Sequence, residues 1–201
     1  MKIILASASA RRKEILNCMN INFESIPAVC NEKIENLENI EQNAVEIAKQ
    51  KAREVCSKQK EDVIVIAADT IVCFEGKILG KPKNDSDAIT MLSKIQSKTA
   101  DIYTGMCVLI QYKGNTKEYI DLSKCQVIFD NMSDMQIKEY VDTQEPLDKA
   151  GAFAIQGKGA QYIKEINGDF YAGVGLSMNK LYITLLAIQK DMGIDLKKYI
   201  C

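Results

Sequence analysis

Arg11 and Arg12 follow Ser7 and Ser9 in LASASARRKEIL, where an apolar strand-like stretch gives way to a helical one. The helix macrodipole disfavours cations in a first helical turn, so two guanidinium groups and Lys13 there need a reason. An anion is one such reason. A helix N-terminus presents unpaired N–H groups, and guanidinium forks with serine hydroxyls add donors matched to phosphate oxygens. A solvated basic face with a serine cap is the alternative, and the local pattern leaves both open. Asp69 and Thr70 interrupt VIVIAADTIVCF, which is otherwise apolar. An isolated buried carboxylate is costly unless it is paired or protonated, so Asp69 is expected to have a cation, a metal or a catalytic task. An acid at a strand end beside a cleft is frequent in open α/β sheets. The other reading is a turn carboxylate that separates two strands.

Other polar residues are weaker signals when taken singly. Lys81 sits at the Gly-Pro corner of LGKP, and Lys51 lies on the apolar side of a mixed helical pattern. Lysines at such places usually snorkel to solvent. Glu32, in Cys30-Asn31-Glu32, is unremarkable in isolation. The segment EPLDKAGAFAIQGKGA, residues 145–160, is dense in glycines that permit positive φ or close approach to a ligand. It contains neither a Walker loop nor a GxGxxG turn, and reads equally as a ligand loop or a tight surface connection.

Composition limits the chemistry further. The chain contains no histidine, so Ser-His-Asp and Cys-His machinery are impossible. Hydrolytic chemistry must then use carboxylates, Lys, Cys or Tyr, with a hard divalent metal held by oxygen ligands. The formal charge of −1 offers no general basic field for nucleic acid, which points to a small anion rather than a polymer. Seven cysteines are scattered without a CxxC pair, as expected of reduced thiols in a cytoplasmic protein. The N-terminal apolar stretch is too short for a signal segment, and no run approaches a membrane span, so no membrane partner is expected.

The elements that must position these residues follow from periodicity. Lys2 to Ala6 reads as a buried strand, and Ala10 to Met19 as a helix capped by Ser9. An extended piece, Asn22 to Ala28, precedes a helix over Asn39 to Ser57. A strand over Val63 to Ala68 resumes at Ile71 to Phe74, turns at Glu75-Gly76-Lys77, and is followed by a helix over Asp85 to Ile95. Ile102 to Tyr112 and Lys117 to Phe129 form a hairpin about Lys113-Gly114-Asn115-Thr116. A capped helix over Ser133 to Val141, the irregular 149–160 segment, a strand near Tyr162 to Ile166 and a helix over Leu176 to Lys190 complete the chain. The pattern predicts an α/β fold, a mixed central sheet flanked by helices. Residues 1–201 read as a single domain without a linker, and two lobes around a cleft stay open.

LASASARRKEIL, AADTIV, LGKP, EPLDKAGAFAIQGKGAQYI and INGDFYAGVGL, in this order and spacing, together resemble the Maf family of nucleoside triphosphate pyrophosphatases. The resemblance implies a Maf-like, anticodon-binding-like or ITPase-like architecture with a substrate cleft. It also implies metal-assisted cleavage of a triphosphate into monophosphate and pyrophosphate. By position, Asp69 resembles the family's proton acceptor, with Glu32, Lys51 and Lys81 as further catalytic polar groups. Ser7, Ser9, Arg11, Arg12 and Lys81 match phosphate-handling positions, and Asp69 and Glu32 would hold Mg²⁺ or Mn²⁺. Arg11, Thr70 and Gln156 match positions of base selectivity, and the IQG form is similar to the dTTP/UTP subgroup. A Gln amide both donates and accepts, matching a pyrimidine's carbonyl and N3–H, whereas the carboxylate of the 7-methyl-GTP subgroup accepts only.

Ala10 and Ser177 stand where that family has proline, Ala100 where a histidine is common, and Asp130 where a basic residue is frequent. Two rival readings share the same residues. One is a nucleotide-binding regulator of cell division or septum formation without turnover, and the other is the same hydrolysis on a modified purine triphosphate. Modified pyrimidine triphosphates and a homodimer are left open by the sequence.

Overall fold

The computed structural model describes residues 1–30 and 39–196. The described residues divide into two compact units, 1–30, 39–70, 104–123 and 175–196 in one, 71–103 and 124–174 in the other. The sheet order is β2-β1-β3-β5-β6-β7, with β4 paired to β3. The fold is therefore mixed α/β, as the periodicity predicts.

In the first unit, β1 (Lys2–Leu5) lies parallel to β2 (Glu24–Ser25) and to β3 (Val63–Phe74), with Ile4 opposite Val65. Strands covered on both faces read as continuous apolar runs, and β3 is buried along nearly its whole length. The expected break at Asp69-Thr70 does not occur. Asp69 lies inside an uninterrupted strand rather than at its end. The strand continues because successive side chains leave it on opposite faces, and each of these two polar groups finds its own partner there.

The helix α1 (Ala10–Cys18) begins at Ser9, whose hydroxyl accepts from the Arg12 N–H at 3.5 Å. The Asn39-capped helix α2 (Ile40–Cys56) buries Ala44, Ile47, Ala48, Lys51, Ala52 and Val55 at helical spacing, so Lys51 belongs to its inward stripe. That stripe packs on Val63, Val65 and Ala67, the alternate residues of β3. The next position on this face is Asp69. The strand β5 (Thr99–Tyr112) approaches α2 so closely at Gly105 that a Cβ there would meet the Ala44 carbonyl and come within 2.5 Å of the Val45 nitrogen. Only glycine allows α2 to settle this deeply.

The hairpin from β5 to β6 (Asn115–Phe129) turns at Lys113-Gly114, both at positive φ, 49° and 78°. The helix α6 (Met178–Met192) closes the described chain, with Ser177 capping it through the Lys180 N–H at 3.2 Å. Serine thus has its own structural task where the resembling family has proline. No described helix is long and apolar enough to cross a membrane. Cys56, Cys73, Cys107 and Cys125 are buried and free, and burial pushes the Cys107 thiol up to about 12.

In the second unit, β4 (Lys77–Leu79) returns antiparallel on the end of β3, and α3 (Asp85–Ile95) follows with its expected bounds. The helix α4 (Asp134–Asp142) starts from a Ser133/Gln136 capping box. Three short 3₁₀ turns occupy the 145–162 segment ahead of β7 (Ile163–Gly168), which pairs antiparallel with β6. The short helix α5 (Phe170–Val174) was not expected from periodicity, because five residues are too few to display one.

Candidate active site

Two polar clusters form in the first unit, one on each face of β3. On the α2 face, Lys51 Nζ lies 2.7 Å from Asp69 Oδ1. The two residues are only 8% and 9% exposed, so this is a buried ion pair rather than a surface contact. The lysine does not snorkel, because its anchoring position on the inward stripe places it beside a carboxylate with the same need for a partner. No described group takes Asp69 Oδ2. The carboxylate is therefore held through one oxygen by a cation and presents the other.

On the opposite face, the Arg12 guanidinium is spread over three acceptors. Its Nε donates to the Gly175 carbonyl at 2.9 Å, Nη1 to Ser7 Oγ at 3.2 Å and Nη2 to Thr70 Oγ1 at 3.1 Å. Thr70 Oγ1 also lies 3.0 Å from Thr104 Oγ1, a residue only 2% exposed. Arg12 is in this way a brace between the segment after β1, the middle of β3 and the entry to α6. Ser7 Oγ accepts a second hydrogen bond, from the Ser9 N–H at 3.2 Å. A hydroxyl has two lone pairs and one proton, so with both lone pairs filled Ser7 retains only its donor. A donor is the polarity a phosphate oxygen requires. The Ser25 hydroxyl fixes the same residue by donating to the Ser7 carbonyl at 2.9 Å.

Arg11 is half-buried and has no side-chain partner among the described residues. Lys81 and Gln156 belong to the second unit, and both are exposed. The Gly151 N–H donates to the Gly80 carbonyl at 2.9 Å, joining the LGKP corner to the AGA turn within that unit. Glu32 lies outside the described residues.

Ser7, Ser9, Arg12 and Thr70 thus come together, as do Lys51 and Asp69. Thr104 and Gly175 were missed. Thr104 carries the same signal as Asp69, a polar residue in a mostly apolar strand. The Gly175 contribution is a backbone carbonyl, which no side-chain pattern reveals. Glu145 and Tyr140 in the second unit were also missed. Burial alone would push the Glu145 carboxyl up, but the N–H groups of Gly159 and Lys158 and the Tyr140 hydroxyl bring it below its ordinary value. Burial, and then Glu145, push the Tyr140 hydroxyl well above its ordinary range.

The described donor set for a metal is one carboxylate oxygen of Asp69. That set fits Mg²⁺ or Mn²⁺, which are commonly bound by one or two carboxylates together with substrate phosphates. Among the described residues, no group of three or more His, Cys, Asp or Glu side chains could hold an ion.

Known proteins resemble the chain over nearly its whole length. The sequence model of the family described as Maf-like protein matches residues 2–188. A dTTP/UTP pyrophosphatase of Caldicellulosiruptor bescii is 42% identical over 200 residues, spanning 98% of each chain. Another from Clostridium botulinum (strain Eklund 17B / Type B) is 43% identical over 185 residues, 90% of this chain and 96% of its own. A third from Clostridium novyi is 42% identical over 198 residues, 98% of this chain and all of its own, 100%. Among solved structures, a HAM1 protein from Coxiella burnetii is 14% identical with a TM-score of 0.49, covering 93% of this chain and 99% of that one.

Proposed function

Because the chain belongs to the Maf-like protein family, we propose that it hydrolyses dTTP and UTP to the nucleoside monophosphate and pyrophosphate. One observation carries the chemistry: a carboxylate buried in an apolar strand is held by a lysine through one oxygen and presents the other. Asp69 accepts the proton of the attacking water. The water oxygen bonds to phosphorus, the α–β anhydride P–O bond breaks, and the electron pair leaves with pyrophosphate. Lys51 keeps the carboxylate oriented inside the apolar strand and compensates its burial.

Ser7 supplies a hydroxyl donor to a phosphate oxygen, and Arg11 a guanidinium that no described protein group uses. Arg12 holds Ser7 and Thr70 in place for that contact. Lys81 adds a second phosphate-directed cation, and Gln156 reads the pyrimidine edge through its paired donor and acceptor. Asp69, with Glu32, would hold Mg²⁺ or Mn²⁺, which supplies neutralisation of phosphate charge when bound.

Incubation of the purified chain with a panel of ordinary and modified triphosphates and either metal tests the reading. Monophosphate and pyrophosphate from UTP and dTTP, abolished in Asp69→Asn, are expected. Diphosphate and inorganic phosphate as products, or binding without turnover, would overturn it.

A further inference from the structure

The second unit holds a carboxylate that the proposed mechanism does not use. Glu145 is half-buried, and its two oxygens each accept a backbone N–H, Oε1 from Lys158 at 3.1 Å and Oε2 from Gly159 at 2.9 Å. The Tyr140 hydroxyl, which is almost fully buried, accepts the Ala154 N–H at 3.2 Å and, with those two N–H groups, favours the ionised form of the Glu145 carboxyl. Tyr140 thereby holds Ala154, and Glu145 holds Lys158 and Gly159. These two sets of contacts lie on either side of Gln156 in the sequence.

Residues Phe153, Ala154 and Ile155 are buried, with the Phe153 ring edge-on to Phe129 at 4.8 Å. Gln156 is the first exposed residue after them. Gly157 then takes φ +95°, and a Cβ on it would run into Glu145 Oε1. Packing therefore anchors the chain before Gln156, and Glu145 anchors it after.

We propose that Glu145 is a positioning residue for base selectivity, fixing the 157–159 turn so that the Gln156 amide meets a nucleobase in one orientation. This rests on the reading of Gln156 given above. An amide on a loose turn can rotate to pair with either a donor or an acceptor edge, and only a fixed one discriminates between bases. Glu145 is suited to the task because a carboxylate accepts on both oxygens at once. A glutamine in its place keeps the shape, but turns an NH₂ group toward one of the two N–H donors.

The test is steady-state kinetics with UTP, dTTP and GTP on the wild-type chain, Glu145→Gln, Gln156→Ala and the double variant. Glu145→Gln is expected to raise KM for the pyrimidine triphosphates by about tenfold with a smaller change in kcat, and to flatten the UTP-to-GTP preference. In the Gln156→Ala background the same substitution should leave that preference unchanged, because coupled residues are non-additive. Tyr140→Phe, which preserves ring packing and removes only the hydroxyl, should flatten the preference in the same direction and serves if Glu145→Gln does not fold.

Lower thermal stability with an unaltered UTP-to-GTP preference would reduce Glu145 to a fold staple and overturn the proposal. An equal loss of preference with and without Gln156 would overturn its route through Gln156. A wild-type chain with no preference for pyrimidine triphosphates would overturn the functional reading itself, and this inference with it.

Discussion

The ammonium of Lys51 and the carboxylate of Asp69 meet at 2.7 Å across the packing of α2 on β3, with both side chains nearly sealed from solvent. Each residue makes the burial of the other tolerable. Removing one partner leaves an uncompensated charge, whereas removing both need not. Lys51→Met is accordingly expected to cost about 3–5 kcal/mol of stability. Asp69→Asn should abolish turnover yet leave the circular dichroism spectrum of the native fold. Combining the two should recover a substantial part of the stability lost in Lys51→Met. Urea unfolding of the three variants measures this directly. Strictly additive losses would mean that the pair is not energetically coupled.

Adjacent arginines are expected to behave differently because their surroundings differ. Arg12 gives three hydrogen bonds to protein acceptors, while Arg11 gives none among the described residues. Arg12→Ala should lower stability by about 1–3 kcal/mol, since it strips partners from partly buried polar groups. It should also lower kcat through misplacement of Ser7. Arg11→Ala should leave the melting temperature near wild type and raise KM for the triphosphate. Thermal melts and saturation kinetics on the two variants decide the matter; the reverse assignment would show that Arg12, not Arg11, carries the phosphate contact.

Much of this arrangement was legible in the sequence, and the limits of legibility have identifiable causes. The caps at Ser9 and Ser133 and the Lys113-Gly114 hairpin are encoded within a few residues, and the structure shows them there. Asp69 announced itself as a buried acid and Lys51 as a cation on an apolar stripe. Their pairing was not legible, because it depends on how α2 packs on β3. Reading Asp69-Thr70 as a break failed for a related reason: partners on opposite faces let the strand continue. Glu145 gave no local signal at all, since its bonds close on Lys158 and Gly159 in a later turn. The roles of Lys81 and Gln156, and the base-selective role of Arg11, came from the family resemblance rather than from local physics, and their tests are chemical.

Acid should weaken the second unit through Glu145. Its carboxyl lies below the ordinary value in the folded state, where the N–H groups of Gly159 and Lys158 and the Tyr140 hydroxyl overcome the opposing effect of burial. The depressed folded value means that the ionised group favours the fold above the unfolded carboxyl value. This contribution is lost as pH falls through the folded value. The stability difference between wild type and Glu145→Gln should therefore be constant near neutrality and shrink as the pH falls into and below the ordinary carboxyl range. Melting temperatures of the two proteins across that range measure it. A difference that stays constant into acid would show that ionisation of Glu145 contributes nothing.

Gln156→Glu tests base reading at the level of single hydrogen bonds. Uracil and thymine offer a carbonyl acceptor beside the N3–H donor, and an amide can answer both. A carboxylate answers only the donor and sets its own lone pairs against the carbonyl. The unmade bond costs about 1–3 kcal/mol, or about fivefold to 150-fold in kcat/KM for UTP and dTTP. Guanine reverses the argument. Its N1–H and amino group are both donors, so a carboxylate gains where the amide could satisfy only one of them. The ratio of kcat/KM for UTP to that for GTP, measured by pyrophosphate release, should fall by more than either value changes alone. A ratio unchanged by the substitution would remove Gln156 from base selection and shift that task to other side chains of the site.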